Sequence, residues 1–383
     1  MDIKRYLQAH LTKDLQKKMV FLGGPRQCGK TTLAEHILRD FPYHADKKGL
    51  YLNWDDDDHR QRILKREWSD NDELVFFDEL HKFHRWKNWI KGTYDTTRAK
   101  HRFLVTGSAR LDTYKRGGDS LLGRYHYWRL HPLTLAESIK GISQGDYFKR
   151  LMTVGGFPEP FLDNNESESK RWRKERIERV IKDDIRDLEQ LHNISALGLF
   201  LDALRRRVGG QIVFSNIEVD LQVSQKTLKR WLAIFENMYL VFAVRPFTKK
   251  LPRAIQKPPK VYFFDNADVM GDESQRFENL VATHLLKKIH FLEDSTGDSY
   301  ELRYVRDKEG REVDFLILRE DKPYMLIEAK LTDSTPHRAL QYYAEKLTPN
   351  YAIQIVAYLK HPFNKGKLSV QSPFDELSKP LTL

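Results

Sequence analysis

Residues 19–40, which read MVFLGGPRQCGKTTLAEHILRD, decide the fold of the first part of the chain. The apolar run MVFL precedes a glycine-containing turn and then an apolar pattern at helical spacing, so the stretch predicts a strand, a turn and a helix. Further short apolar runs follow at 50–54, 74–77 and 102–107, with helical stretches between them. Strands that alternate with helices are typical of a parallel sheet covered by helices on both faces. The sequence therefore predicts an α/β fold in this region.

The turn fits the pattern G-x-x-x-x-G-K-[ST], which here follows a strand and opens a helix. In that setting the glycines let backbone N–H groups wrap phosphate oxygens at the start of the helix. Lys30 can then span the terminal phosphates of a nucleotide, and Thr31 can bind its Mg²⁺ ion. We expect ATP to be bound by nine consecutive residues: Gly24, Pro25, Arg26, Gln27, Cys28, Gly29, Lys30, Thr31 and Thr32.

A second polar group follows the apolar run LVFF (74–77). Asp78 at the end of a buried strand can hold Mg²⁺ through water, and Glu79 can orient or deprotonate the attacking water. The next strand places Thr106 or Ser108 at the carboxyl edge of the sheet, where a small polar group can sense the γ-phosphate. Hydrolysis of ATP, rather than binding alone, is the expected activity.

Two arginines are candidates for an arginine finger that neutralises charge in the transition state. They are Arg110 and Arg124, and the sequence does not choose between them. An ordinary surface arginine is the alternative for each. If the finger acts on a neighbouring chain, the protein is a homo-oligomer.

Several segments together resemble one group of ATPases. GGPRQCGKTTL, LVFFDELHK, FLVTGSARL and LLGRYHYWRLHPLTLAE are similar to AAA-type ATPases of bacteria and archaea that carry a C-terminal domain of unknown function with a restriction-endonuclease-like fold. GGFPEP, DDIRDLEQL and the series FFDNAD…FENLV…EVDFLI…IEAK resemble the rest of that family in the same order. The chain departs from the expected pattern at His81, where glutamine would be expected.

Pattern and resemblance together predict four consecutive regions. They are an AAA-like P-loop domain (1–137), a helical lid or connector (138–190), a winged helix (191–250) and a PD-(D/E)XK nuclease-like α/β domain (251–383). Within the third region, Ser224 is placed to cap the stretch QKTLKRWLAIFENM. The residues from 244 to 260, rich in proline and basic side chains, are interpreted as an extended linker.

Basic residues of the winged-helix region are candidates for contacts with DNA. They are Lys226, Lys229, Arg230 and Lys250. The net charge of +11 and the isoelectric point near 9.3 are compatible with a polyanionic partner. A winged helix that serves only as a packing connector is the alternative.

The C-terminal strands predict a second site. Asp314 opens the run DFLIL, and the run YMLI leads to Glu328 and Lys330, which share one face because side chains alternate along a strand. With Glu278 on the preceding helix, these residues resemble the D…E-x-K site of PD-(D/E)XK phosphodiesterases. That resemblance implies Mg²⁺ held by Glu278, Asp314 and Glu328, with Lys330 positioning water. A solvated charged face, or a nuclease-like platform that binds without cutting, is the alternative.

The first of three functions is the one that the sequence predicts, and the other two are its alternatives. The first is a Mg²⁺-dependent ATPase coupled to a nuclease-like domain that acts on or binds DNA. The second is a DNA nuclease gated by ATP, and the third is a regulatory or defence-type switch that binds ATP and a protein partner with little turnover.

Composition excludes several other classes of protein. The single cysteine, Cys28, excludes an intramolecular disulfide framework and a zinc site built on several thiolates. No stretch of about 18 uncharged apolar residues is present, so we expect a soluble, cytoplasmic protein with no membrane partner.

Overall fold

The computed structural model describes four stretches of the chain: 3–107, 121–185, 194–248 and 257–379. The chain divides into two compact units, 1–131 and 132–383. The first unit ends close to the predicted boundary at residue 137, and the three regions predicted beyond it lie within the second unit.

The first unit is built on a five-stranded sheet. Its strands are β1 (Met19–Gly23), β2 (Lys48–Asn53), β3 (Asp72–Asp78), β4 (Arg102–Thr106) and β5 (Tyr125–Arg129). Its helices are α1 (Gln8–Leu15), α2 (Lys30–Asp40), α3 (Asp57–Lys65) and α4 (Trp86–Thr97), with a 3-10 turn at Leu80–Lys82. The strand order is β2-β3-β4-β1-β5, and every neighbouring pair is parallel. The predicted α/β fold with a parallel sheet is confirmed.

Burial explains why apolar runs form these strands. Every residue of β1 and β3 is buried, as expected for strands in the middle of a parallel sheet. Phe77 and Phe103 on neighbouring strands stack with ring centroids 5.8 Å apart. This sheet brings the carboxyl ends of β1, β3 and β4 to one edge.

The second unit contains the remaining helices. They are α5 (Gln144–Thr153), α6 (Pro158–Asp163), α7 (Glu166–Arg179), α8 (Ile194–Arg205), α9 (Phe214–Leu221), α10 (Gln225–Asn237), α11 (Glu273–Thr296), α12 (Arg338–Leu347) and α13 (Pro373–Glu376). A π-helical turn, Val180–Ile185, follows α7, and a 3-10 turn lies at Asn266–Asp268. The Ser224 side chain accepts a hydrogen bond from Thr227 N–H and caps α10 as predicted.

An eight-stranded mixed sheet completes the second unit. Its strands are β6 (Val241–Pro246), β7 (Lys260–Phe263), β8 (Tyr300–Arg306), β9 (Glu312–Arg319), β10 (Lys322–Lys330), β11 (Tyr351–Val356), β12 (Phe363–Lys365) and β13 (Leu368–Gln371). The order is β12-β13-β11-β10-β9-β8-β6-β7. The pairs β8–β9 and β9–β10 are antiparallel and β10–β11 is parallel.

The interpretation of residues 244–260 as a linker is wrong at both ends. Val244 and Arg245 belong to β6, and Lys260 begins β7, which pairs antiparallel with β6. The run KVYF forms a strand although prolines precede it, because β7 is buried along its whole length.

No helix among the described residues is long and apolar enough to cross a membrane.

Candidate functional site

The turn between β1 and α2 has the backbone conformation that a phosphate-binding loop needs. Gly24, Gln27 and Gly29 have φ of +134°, +61° and +90°. A Cβ atom at Gly24 would lie 2.3 Å from the carbonyl oxygen of Leu130, so a side chain is excluded there. The two glycines of the motif are therefore required by backbone geometry, and α2 begins directly at Lys30.

Lys30 closes this loop on itself. Its side chain is 7 % exposed, and its ammonium group donates hydrogen bonds to the carbonyl oxygens of Gly24 (3.0 Å) and Pro25 (2.6 Å). The ammonium is thus held at the loop by neutral acceptors. A terminal phosphate of a nucleotide would offer it charged acceptors in the same place.

Asp78 lies at the carboxyl end of β3, next to this loop. Its Oδ2 accepts hydrogen bonds from the hydroxyls of Thr31 (2.9 Å) and Tyr51 (3.2 Å), and its Oδ1 accepts one from the Thr106 hydroxyl. Asp78 is 4 % exposed, and no Lys, Arg or His nitrogen of the described residues lies within 4.0 Å of its carboxylate. A buried carboxylate with only neutral partners is prepared for a cation.

Tyr51 is a member of this cluster that the sequence analysis missed. Burial, with the Asp78 carboxylate beside it, raises the pKa of Tyr51 to about 12, so the phenol stays a donor. Strand β2 pairs with β3 so that Tyr51 is opposite Phe76, two residues before Asp78. A tyrosine on a predicted strand carries no signal of this role without the strand order.

Glu79 differs from Asp78 in exposure and conformation. It has φ of +56°, in the left-handed region, and its side chain is 24 % exposed. Its carboxylate lies 3.5 Å from Lys82 Nζ and 3.7 Å from His81 Nε2. The chain therefore turns sharply at Glu79 and presents its carboxylate partly to solvent beside the buried Asp78.

Arg5, which lies outside the predicted motifs, holds the phosphate loop by hydrogen bonds to backbone carbonyl oxygens. It is 6 % exposed, and its guanidinium donates hydrogen bonds to the carbonyl oxygens of Cys28 (2.8 Å) and His131. Cys28 is itself buried. Arg5 thus ties the phosphate loop to the end of the chain segment that follows β5.

Of the two arginine-finger candidates, the structure describes Arg124, which lies away from Asp78 of the same chain. Arg124 pairs with Asp95 through two hydrogen bonds of 2.7 and 3.0 Å. Arg124 directly precedes β5, whose first residue pairs with Met19 at the start of β1. Arg124 therefore lies at the amino edge of the parallel sheet, whereas Asp78 lies at the carboxyl edge. Arg110 and Ser108 lie outside the described residues, as does Lys250.

The remaining basic candidates lie on α10. Lys226, Lys229 and Arg230 are exposed, while Leu228 and Trp231 of the same helix are buried. The Lys229 ammonium lies 5.7 Å from the ring centroid of Phe214 on α9. Helix α10 therefore presents three basic side chains on one exposed face.

The predicted C-terminal residues meet between β9, β10 and α11. Lys330 Nζ lies 2.8 Å from Glu328 Oε1. Asp314 N–H donates to Glu328 Oε2 (3.3 Å), and Ala329 N–H donates to Asp314 Oδ2 (3.1 Å). Asp314, Glu328 and Lys330 are thus brought together across the antiparallel pair β9–β10.

Lys260, which the sequence analysis assigned to a linker, lies among the residues expected to hold a metal ion. The Lys260 ammonium lies 3.3 Å from Glu278 Oε1 and 3.3 Å from Asp314 Oδ1. It is also 2.6 Å from Glu312 Oε1, and the Tyr262 hydroxyl donates to Glu278 Oε1 (2.6 Å). Two of the three predicted metal ligands, Glu278 and Asp314, therefore share an internal ammonium.

The pKa values follow from these contacts. Burial, with the Asp314 carboxylate as second cause, raises the pKa of Glu278 to about 7 and that of Glu328 to about 8. Burial opposes the charge of Lys260, but the carboxylates of Glu278, Asp314 and Glu312 prevail and raise its pKa. Among the described residues, no three His, Cys, Asp or Glu side chains are arranged to hold a metal ion.

Three families of domains match consecutive parts of the chain. Residues 16–139 match an AAA domain, 145–268 match a domain of unknown function (DUF8612), and 274–367 match another (DUF4143). The first match covers the parallel sheet, the phosphate loop and Asp78. The N-terminal unit is therefore an AAA-type P-loop domain.

Similar chains occur in archaea and bacteria. An uncharacterized protein of Methanocaldococcus jannaschii is 24 % identical over 92 % of this chain and 85 % of its own length. An uncharacterized protein of Mycobacterium tuberculosis is 28 % identical over 68 % of this chain and 58 % of its own length. The similarity to the archaeal protein thus includes both units.

Two solved structures resemble the chain weakly. The Orc1 protein of Aeropyrum pernix, solved in complex with DNA, aligns with a TM-score of 0.32 at 13 % identity over 74 % of this chain and 93 % of that one. Cdc6p of Pyrobaculum aerophilum aligns with a TM-score of 0.26 at 13 % identity over 62 % and 84 %. The assignment of the N-terminal unit rests on its own residues and on the matched domain family.

Proposed function

We propose that the N-terminal unit binds ATP with Mg²⁺ and hydrolyses it. The observation that carries the proposal is the convergence of Thr31, Asp78 and Thr106 at the carboxyl edge of a parallel sheet, beside a loop closed by Lys30. Three hydroxyl donors orient the Asp78 carboxylate, counting that of Tyr51. Such a preorganised arrangement is what phosphoryl transfer needs, because its catalysis is mostly positioning and charge stabilisation.

The residues present fit a Mg²⁺ ion. The Thr31 hydroxyl and an Asp78 oxygen lie 2.9 Å apart, and both are the hard oxygen ligands that Mg²⁺ prefers. When bound, the ion neutralises charge on the β- and γ-phosphates. Thr31 would then release its hydrogen bond to Asp78, while Thr106 and Tyr51 keep that carboxylate in place.

Lys30 and Glu79 have different parts in this proposal. Lys30 exchanges the carbonyl oxygens of Gly24 and Pro25 for phosphate oxygens, so it acts on substrate in the ground state and in the transition state. Glu79, partly exposed next to Asp78, orients the attacking water and acts on hydrolysis alone.

Two substitutions separate these parts. Lys30→Ala should lose nucleotide binding and turnover together. Glu79→Gln should keep the nucleotide affinity and lower phosphate release by about 100-fold. Affinity is measured by titration with a fluorescent ATP analogue and turnover by release of inorganic phosphate. Wild-type turnover in Glu79→Gln would show that another group directs the water.

We also propose that DNA is a partner of the second unit, through α10. Its support is the exposed basic face formed by Lys226, Lys229 and Arg230 on the second helix of a helix-turn-helix. Each phosphate contact releases counterions, so binding should weaken steeply with salt. Lys250 belongs to the same proposal on the evidence of the sequence alone.

A salt titration of duplex binding tests this partner. The double charge reversal Lys226→Glu/Lys229→Glu should weaken binding and lower the salt slope by about two, since each contact contributes roughly one. The matched control is Lys170→Glu/Lys174→Glu on α7, which changes the net charge equally. Equal loss in both variants would leave only a non-specific charge effect, and DNA would be removed as a partner.

A further inference from the structure

The cluster around Lys260 carries an inference about the C-terminal site that is independent of ATP hydrolysis. The site contains four carboxylates: Glu278, Glu312, Asp314 and Glu328. Two ammonium groups lie among them. Lys260 is beside Glu278, Glu312 and Asp314, and Lys330 is beside Glu328. The family resemblance implies a divalent ion here, so the question is whether the residues leave a place for one.

The position of the Lys260 ammonium answers this question. A divalent ion bound by Glu278 and Asp314 needs oxygens of both at about 2.0–2.6 Å. The Lys260 nitrogen already lies 3.3 Å from an oxygen of each and 2.6 Å from Glu312. Two cations at these oxygens would repel each other strongly, because the ammonium is buried and the three carboxylates are only 14–22 % exposed.

Lys260 is also unable to move aside easily. Its side chain is 2 % exposed, and its backbone is held in β7, opposite Val244 of β6, with a second bridge to Gln211. Its ammonium lies 5.7 Å from the ring centroid of Tyr304. Leaving the carboxylates would bury the charge without partners, which is strongly unfavourable.

The surroundings of Glu278 leave little room for a hydrated ion. The Tyr262 hydroxyl occupies Oε1, and a Cβ atom on Gly209 would lie 2.6 Å from Oε2. Gly209 has φ of +75°, so its backbone closes against this carboxylate. A Mg²⁺ ion usually keeps several of its waters, and these would have to fit in the same space.

Lys330 provides the contrast within the same site. Its side chain is 34 % exposed and its ammonium pairs with Glu328 alone among these carboxylates at salt-bridge distance. It can turn toward solvent without losing hydration. Lys330 is therefore not the group that fills the cluster.

We propose that the Lys260 ammonium is a built-in cation that replaces a divalent metal among Glu278, Glu312 and Asp314. The C-terminal domain then keeps the carboxylate arrangement of the resembled nucleases but does not load metal, and it acts as a binding platform. Removing the ammonium should create a divalent-cation site where none exists.

Titration with Mn²⁺ followed by electron paramagnetic resonance tests this with the full-length chain and no nucleotide. The wild type should show no Mn²⁺ site that depends on Asp314. Lys260→Met should gain one site per chain, at least ~10-fold tighter than any binding by the wild type, and Lys260→Met/Asp314→Asn should lose it again. Asp78→Asn is added to the wild type and to each variant. Any Mn²⁺ signal that this substitution removes belongs to the N-terminal unit.

Lys330→Met is the matched control, since it removes the other ammonium of the site and leaves Lys260. It should gain no Mn²⁺ site. A Mn²⁺ site in the wild type that Asp314→Asn abolishes overturns the proposal, as does a gain in Lys330→Met equal to that in Lys260→Met. A folded Lys260→Met with no new site does the same.

Folding is checked by circular dichroism. If Lys260→Met does not fold, the comparison of wild type with Asp314→Asn decides alone: no Asp314-dependent site supports the built-in cation, and such a site refutes it. Wild-type cleavage of plasmid DNA that needs Mn²⁺ and Asp314 is a second refuting result. Failure of ATP hydrolysis would leave these outcomes unchanged, so the two proposals are tested separately.

Discussion

Two carboxylate sites of this protein differ in how their charge is balanced. Asp78 in the first unit is surrounded by the hydroxyls of Thr31, Tyr51 and Thr106, all of them neutral. Asp314 in the second unit shares the ammonium of Lys260 with Glu278 and Glu312. The first arrangement orients a carboxylate and leaves its charge for a ligand to neutralise. The second places one ammonium among three carboxylates when the chain folds.

This difference separates two meanings of an acidic cluster. Carboxylates at or near strand ends suggest a metal site in both units when only the sequence is known. The two sites differ in the group that contacts the carboxylates. Hydroxyls contact Asp78, whereas an ammonium contacts Glu278, Glu312 and Asp314. Four predictions test this distinction, from the largest expected effect to the smallest.

The largest effect should be on stability when the internal cation is removed. Lys260→Met leaves three carboxylates without their ammonium, so we expect a loss of about 3–5 kcal/mol in the free energy of unfolding of the second unit. Lys330→Met, at a site one-third exposed, should cost about 1 kcal/mol or less. Urea unfolding of both variants measures the difference, and equal losses would contradict a special role for Lys260.

The next effect concerns catalysis at the site that lacks a cation. Asp78→Asn should lower Mg²⁺-dependent ATP turnover by about 100-fold, because the orienting carboxylate loses its charge. Asp314→Asn should leave turnover close to the wild type. The rate of phosphate release at saturating ATP distinguishes them, and a similar loss in both would link the two carboxylates.

A third prediction concerns His284, a buried titratable group. Neither hydroxyl donors, as at Asp78, nor an ammonium, as at Asp314, stabilise its charged form. His284 on α11 accepts a hydrogen bond from Leu135 N–H (2.9 Å), its Nδ1 lies 2.7 Å from the carbonyl oxygen of Leu280, and burial lowers its pKa to about 3. At pH values below about 6.5, the ordinary pKa of histidine, the unfolded chain takes up a proton on His284. The folded chain takes up that proton only near pH 3. Stability from His284 is thus full above pH ~6.5 and is lost as the pH falls toward about 3, at roughly 1.4 kcal/mol per pH unit.

His284→Gln checks this sign, because glutamine can still donate and accept but does not titrate. Between pH ~7 and ~5 the free energy of unfolding should fall less steeply in the variant than in the wild type. Urea unfolding at several pH values gives the two slopes. Parallel curves would mean that other groups cause the acid sensitivity.

The smallest effect should follow loss of one hydroxyl at Asp78. Thr106→Val removes one of three donors and should cost about 1–2 kcal/mol in stability, with a reduction of turnover smaller than that of Asp78→Asn. Thr12→Val on α1, where the hydroxyl donates only to Gln8 O, is the matched control and should leave turnover unchanged. A turnover loss in Thr106→Val as large as that in Asp78→Asn would make the hydroxyl, not the carboxylate, the essential group.

The sequence indicates where the residues of the first site lie because the parts of that site are local. The loop from Gly24 to Thr31 is one continuous stretch whose glycines specify the backbone, and Asp78 ends an apolar run that only a buried strand explains. The contact between them follows from the rule that parallel strands share a carboxyl edge. Tyr51 required the strand order as well, which the pattern of apolar residues does not contain.

Lys260 could not be recognised in the same way. It follows two prolines at the end of a basic stretch, and its carboxylate partners Glu278 and Asp314 are 18 and 54 residues away. Alternation along KVYF places Lys260 and Tyr262 on one face, which is the only local signal. Whether that face meets solvent or three carboxylates depends on the fold of the whole second unit.

The hydrogen bonds from Lys30 to the carbonyl oxygens of Gly24 and Pro25 have a kinetic consequence. They order the loop before any nucleotide arrives, so its conformational entropy is lost when the chain folds and not when the ligand associates. Association should then follow a single exponential whose rate rises linearly with nucleotide concentration, with no slow ordering step. The lysine exchanges its carbonyl acceptors for phosphate oxygens within that same association step.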